Sequence, residues 1–436
     1  MPECMPMAPG EQLVVFACSN RIAEADALLA ASPALATSSL FAAIATGEVA
    51  FVDSALRADP GLATSSGGPL AWPVLLYACF SDYLRPGSVR REGVARAAML
   101  LLSGGANPNA SYRIHEGPYA GPLTALYGAA GSANHPELAK ALLDAGADPN
   151  DGESLYHSVE FGDRVCTRLL LQRGARVEGT NAVHHQLDFE DPDGLAMFLD
   201  HGVDPNLRDH EGRPLLHGAI DRDRSAAVLK LLLDRGADPG ALDGRGFTPF
   251  RMAARLGHAQ ALSLLKAAGV VEEFSPAEAF LAACSAGDHP TAASLLARQP
   301  ELLRGLQPCG GSILVQAAWR GRDQAVDTML RLGFDPSTQA GDGVTALHNA
   351  CWKGYAAMVL KLLAAGASVE VVERRYGATP LGWAIHGSQN ARGRDGVPIA
   401  RQQDYRAIVL ALMEAGAKRP EAIDPGWPEW LRSSFG

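Results

Sequence analysis

Two short segments bring together side chains able to move protons. DGESLYHSVEFGD at 151–163 holds Glu153, Tyr156, His157 and Glu160. TNAVHHQLDFED at 180–191 holds Asn181, His184, His185 and Asp188. In each, a histidine (His157, His185) precedes a carboxylate (Glu160, Asp188) by three residues, about one helical turn on the same side. Imidazole beside carboxylate suits general acid–base chemistry near neutral pH, of the kind a lyase, isomerase or hydrolase uses. Imidazole and carboxylate also bind metals, but here the ligands would come from separate segments at no recognisable metal spacing, so no metal is assigned. His217, in RPLLHGAID at 213–221, extends the series towards a ladder of histidines, and Tyr127 matches Tyr156 one segment earlier. There is no P-loop, no GxGxxG after a strand, no GxSxG and no HExxH, and no cofactor is expected.

The elements that position these residues must come from a long chain. At 436 residues and 47% hydrophobic, it exceeds what one core usually fills, so several domains or a repeat array are expected. A net charge of -10 argues against nucleic acid, which selects a basic face. Arginine supplies nearly all the positive charge, a bias that suggests a GC-rich, bacterial genome. Cys4, Cys18, Cys79, Cys166, Cys284, Cys309 and Cys351 form neither a CxxC nor a zinc spacing. Several lie in apolar runs, where cysteine behaves as a small hydrophobe, which fits a reducing compartment. Met1 to Gly10 lacks the pattern of a signal peptide, and no run of about 18 apolar residues suggests a membrane span. A soluble, cytoplasmic protein with no membrane partner is expected.

Self-similarity is the dominant signal. Leu-Leu-x-x-Gly-Ala-Asp/Asn-Pro-Asn recurs as LLLSGGANPN ending at Asn109, ALLDAGADPN ending at Asn150 and MFLDHGVDPN ending at Asn206. Its glycines are Gly105, Gly146, Gly174, Gly202, Gly236, Gly269, Gly333, Gly366 and Gly416, spaced 41, 28, 28, 34, 33, 64, 33 and 50 residues. The spacing of 64 is two repeats, the middle one (ASLLARQPELL) lacking its glycine. A second phrase precedes the first by half a period: GFTPFRMAARLGH at 246–258, GVTALHNACWKGY at 343–355, GATPLGWAIHGS at 377–388. Thr-Pro opens a helix, because the threonine caps free N–H groups and proline at the first position loses no bond. Leucines at i, i+3 and i+4 in AAVLKLLLDRG make one apolar stripe on a second helix. The glycine ends that helix in the left-handed conformation, and Asp-Pro-Asn opens a turn. A lone helix pair cannot bury its stripe, so pairs stack and each contacts mainly its neighbours.

These two phrases resemble the ankyrin repeat over about 11–419. The resemblance implies an all-α solenoid of stacked helix–turn–helix units with short turn fingers, in about twelve repeats. It runs as a first sub-array at 11–270 and a second at 276–419, with an N-terminal tail at 1–10 and a cap or tail at 420–436. It further implies a concave groove, lined by first helices and fingers, of the kind that usually binds proteins. In this family the first-helix histidine holds neighbouring backbone, a role that His184, His348 and His217 would fill.

Departures from the repeat mark candidate functional surfaces. Residues 110–121 lengthen one finger and place Tyr112, Arg113, His115, Glu116 and Tyr119 on it. The two spacings of 28 that follow shorten the next fingers, so a lid could lie beside exposed first helices. The histidine segments occupy that stretch, with Glu153 in the place of the capping threonine and His217 read in the column of His157 and His185. Arginine-bearing insertions at 82–92 and 388–402 read as tolerated surface loops. Trp319 and Trp352, with Trp383 further from the helix end, form an aromatic strip on late first helices. The leading expectation is a scaffold that holds a protein or peptide in its groove through Tyr112, Arg113, His115, Tyr119, Tyr127, Asn181, His184, His217, Trp319 and Trp352. The alternative is a small-molecule site with acid–base or metal-assisted chemistry from His157, His185, Glu160, Asp188, Tyr156 and Glu153.

Overall fold

Thr248 begins a helix as its sequence predicts. Its side chain accepts the N–H of Arg251, Pro249 takes the first position, and Gly257, at φ +66°, ends the helix at Leu256. His258 caps the next helix, Ala259–Ala267, by accepting the N–H of Ala261. The same grammar starts Ala346–Lys353 at Thr345 and ends it at Gly354, φ +70°. A computed structural model of the chain describes residues 7–114, 121–305, 310–391, 399–420 and 422–435. In it, antiparallel helix pairs of this kind follow one another, an all-α ankyrin-repeat architecture. None of the helices among the described residues is long and apolar enough to cross a membrane.

The chain packs as two compact units, one ending at Leu207 and the other starting at Arg208. In the first unit the fingers are stitched by asparagines. Asn107 and Asp148 each accept the N–H two residues on, closing the turn. Asn109 then reaches the next finger, donating to the Gly146 carbonyl at 3.0 Å and accepting from the Asp148 N–H at 2.8 Å. Asn150 repeats the link with the Arg176 N–H at 2.8 Å. The long finger is a β-hairpin: Ser111–Ile114 pairs antiparallel with Gly121–Thr124, with Tyr112 opposite Leu123. His115, Glu116 and Tyr119 lie outside the described residues.

Shortened fingers bring their helices forward. Ser154–Ser158 starts eight residues after Gly146, and Ala182–Gln186 eight after Gly174, whereas Pro249–Leu256 starts thirteen after Gly236. The arginines of the 82–92 insertion are anchors. Arg91 donates to the carbonyls of Leu84, Ala133 and Asn134, and Arg90 to that of Thr46 and to Glu48. That insertion is therefore tied into the stack, although its length suggested a loose surface loop.

The second unit has a continuous core running from Phe280 through Val326, Leu347, Val359 and Leu412 to Leu431 and Phe435. Arg419 donates to the Phe435 carbonyl at 2.9 Å, so residues 429–435 pack over the last helix pair. Contacts here are not confined to neighbours. Arg320 reaches the Asp221 carbonyl at 2.8 Å and its carboxylate at 3.2 Å, and Arg322 pairs with Asp223. These residues lie at the ends of first helices or in the turns that follow them. His258, from an intermediate turn, lies 3.1 Å from the Arg224 carbonyl, so the turns converge and long arginines can span them.

Candidate functional site

In the first unit, an unbroken chain of contacts links carboxylates and imidazoles. His157 sits on Ser154–Ser158, with Nδ1 2.8 Å from Glu160 Oε1 and Nε2 3.3 Å from Glu153 Oε2. The same Glu160 oxygen lies 3.3 Å from Nε2 of His185, whose Nδ1 is 2.7 Å from Asp188. Tyr156 stacks flat on His185, centroids 4.2 Å apart and planes 9° apart. The sequence grouped these residues, and the structure brings all six together: Glu153, Tyr156, His157, Glu160, His185 and Asp188. Truncated fingers are the cause, since they let adjacent first helices present these side chains side by side.

The polar chain continues a longer row of rings. Tyr127 stands 5.2 Å from His157 and 6.0 Å from Phe80. Tyr112, held on the hairpin, meets Phe80 edge-on at 4.9 Å and stacks on Trp72 at 4.3 Å. At the other end Phe189 abuts His185 at 5.3 Å. Apart from the ends of the row, each ring is partly exposed and touches rings on both sides. Burial, then the charges of Glu153 and Glu160, push the Tyr127 hydroxyl above its ordinary range. Trp72, Phe80 and Phe189 were not singled out in the sequence. The hairpin that turns Tyr112 onto them is what joins them, and its pairing is not written in any one segment. Arg113, adjacent on the strand, is exposed, as is Asn181, which holds a left-handed φ of +57° before its helix.

Other predicted residues fall elsewhere. His184 is buried, with Nε2 3.2 Å from the Leu207 carbonyl. His217 is fully buried, with Nε2 2.9 Å from the Phe247 carbonyl. Its expected place in the column of His157 and His185 is corrected: His217 follows its capping position, Pro214, by three residues and shares the register of His184, whereas His157 and His185 stand one residue further. A side chain buried there cannot line an open surface.

The second unit holds a separate pocket of about 550 Å³ between Trp319, Trp352, Trp383 and Tyr376, with Asp342, Glu373, Arg375 and His386 also in its wall. Trp352 and Trp383 meet at 6.1 Å with planes at 72°. Glu373 is buried. Burial alone would raise its carboxyl, but the backbone N–H groups of Ala378, Arg375 and Tyr376 and the Trp383 indole hold it below the usual range. Among the described residues, no cluster of three His, Cys, Asp or Glu could hold a metal ion. The described cysteines are unpaired, and burial raises the thiols of Cys79, Cys166 and Cys284 to about 12.

Comparison with known proteins follows the repeat. A family model described as ankyrin repeats in three copies matches residues 280–392, one for ankyrin repeats in many copies matches 223–265, and one for the single ankyrin repeat matches 123–154. The chain is 31% identical to the nuclear factor NF-kappa-B p105 subunit of Gallus gallus over 32% of its own length and 16% of that protein's. It is 29% identical to ankyrin repeat and SOCS box protein 16 of Mus musculus over 63% of its own length and 53% of that protein's. It therefore spans about half, or much less, of these relatives. The solved ankyrin repeat domain of Bcl-3 aligns with 62% of this chain and 99% of that one at 18% identity, with a TM-score of 0.27. With its capped helix pairs, glycine-ended second helices and three matching repeat models, the chain belongs to the ankyrin-repeat family.

Proposed function

We propose that the chain is a binding module that holds a protein or peptide partner against the first-helix face of its first unit. The observation that carries this reading is the row from Trp72 through Tyr112, Phe80, Tyr127, His157, Tyr156 and His185 to Phe189. Partly exposed aromatic rings, already packed on one another, give a partner large contact area at low entropic cost. The carboxylates Glu153, Glu160 and Asp188 border it and would favour basic residues on that partner. Ankyrin repeats generally mediate contacts between proteins, which supports the same reading.

A small-molecule site with acid–base chemistry is the second reading, and the alternating carboxylates and imidazoles are its support. All four ring nitrogens of His157 and His185 lie within 3.3 Å of a carboxylate oxygen. No ring nitrogen is then left to face a substrate, so the partner-binding reading is preferred. Photo-crosslinking residues placed at Tyr112 and Tyr156 would decide between them. A discrete protein adduct, lost with Phe80→Ala, is expected. A small molecule retained in native mass spectrometry and released by His157→Ala, with no protein adduct, would overturn the proposal.

A further inference from the structure

The tryptophan pocket of the second unit is separate from the aromatic row and has its own chemistry. Three indoles and the 70% exposed Tyr376 ring surround about 550 Å³. Indole faces carry negative potential and attract a cation within about 6 Å of the ring centre. Trp319 shows this directly, since the Lys353 ammonium sits 3.9 Å from its centroid. That ammonium has no carboxylate partner among the described residues.

The carboxylates decide which cation fits. Glu373 contributes a buried negative charge whose hydrogen-bond partners are all neutral. Its Oε1 accepts the N–H groups of Tyr376 and Ala378, and its Oε2 those of Arg375 and Tyr376. The charge acts on the pocket, but the oxygens are already occupied. Asp342, exposed, accepts the Val344 N–H at 3.3 Å and is the other acidic group in the wall. A guanidinium or primary ammonium entering here would lose water from several N–H donors and find few acceptors in return. A cation with no N–H donor avoids that loss. Arg375 and the Lys353 ammonium on Trp319 both oppose a further cation; Arg375 is exposed and lies over the Tyr376 ring at 5.3 Å, where solvent screens it, and Lys353 stands outside the pocket's lining.

We infer that the pocket bounded by Trp319, Trp352, Trp383 and Tyr376 binds a trimethylammonium group. Two sources carry that group: a free choline-like molecule and the side chain of a trimethylated lysine in a partner protein.

Isothermal titration of the full chain with choline, with a short trimethyl-lysine peptide, and with 3,3-dimethyl-1-butanol tests this. The last is choline with carbon in place of the charged nitrogen. Saturable binding of choline, the peptide or both is expected, with the carbon analogue at least about tenfold weaker. Binding of the peptide alone, or far more tightly than choline, assigns a protein source; binding of choline alone assigns a free ligand. Trp319→Leu, at a residue 44% exposed, should abolish the heat while leaving the circular dichroism unchanged. If that variant fails to fold, Tyr376→Leu takes its place and should weaken binding several-fold. Equal binding of the carbon analogue, no saturable heat with either cation, or a folded variant that binds like the parent would overturn the inference.

Discussion

His184, His217 and His348 stand three residues after the position that caps their helices, and all are buried. Each turns Nε2 to a carbonyl near the following repeat: Leu207, Phe247 and Ala378. His157 and His185 stand one residue further along, which rotates them about 100° around the helix and out to the surface. The two sets should respond differently to truncation. His217→Ala removes a buried ring and its hydrogen bond to the Phe247 carbonyl, which keeps only the Asp243 N–H, at a cost of about 2–4 kcal/mol. His157→Ala breaks only partly exposed contacts and should cost about 1 kcal/mol or less. Urea unfolding of both variants checks this; equal losses would mean that His157 also holds the stack. The histidines and their carboxylates were legible in the sequence because three-residue spacings survive in any helix. The column of His217 was misread because the doubled His184-His185 hides which of the pair is in register.

At the scale of the helix, two positions recur in both candidate surfaces. Four and seven residues past the cap, the first unit presents His157 with Glu160 and His185 with Asp188. At seven, the second unit presents Trp352 and His386, and at four Trp383. Positions four and seven share a helix face, so a repeat can change its chemistry there while cap, leucine stripe and terminal glycine stay fixed. The glycines divide by what surrounds them. Gly146 has φ +98° and open space where a Cβ would stand, so Gly146→Ala pays only backbone strain, about 1–2 kcal/mol. A Cβ on Gly47, φ +80°, would stand 2.6 Å from the Val94 nitrogen on the next repeat. Gly47→Ala must displace that repeat, and its loss should exceed that of Gly146→Ala by a further 1–3 kcal/mol or so. Calorimetric melting of the two variants decides; equal shifts would show that this junction yields freely. Helix starts and ends could be read because each depends on a few local residues. The hairpin at Ser111–Ile114 and the Arg320 to Asp221 link could not, since both depend on how far apart in space the chain places distant turns.

Across the whole molecule, burial of histidine makes stability depend on pH. Burial, the largest cause for each, holds His135, His217, His258 and His348 below the ordinary value of 6.5. Unfolding restores that value, so below pH 6.5 the unfolded chain binds more protons than the folded one. The stability these residues contribute is therefore present above 6.5 and is lost progressively as pH falls below it. Carboxylates act in a lower window, since those of Glu278 and Glu373 are held below their ordinary 4.5. Three of the four histidines belong to the unit beginning at Arg208, and His135 belongs to the other. Between about pH 7.5 and about pH 5.5 the melting midpoint should fall, and where two transitions separate, that of the second unit should fall further. Gln at both His217 and His348 retains a hydrogen-bonding side chain but cannot take up a proton. The double variant should start less stable at neutral pH and show a distinctly shallower decline. A parent midpoint that stays level across this range would show that the buried imidazoles do not govern it. An unchanged slope in the double variant would move the effect to His135 and His258.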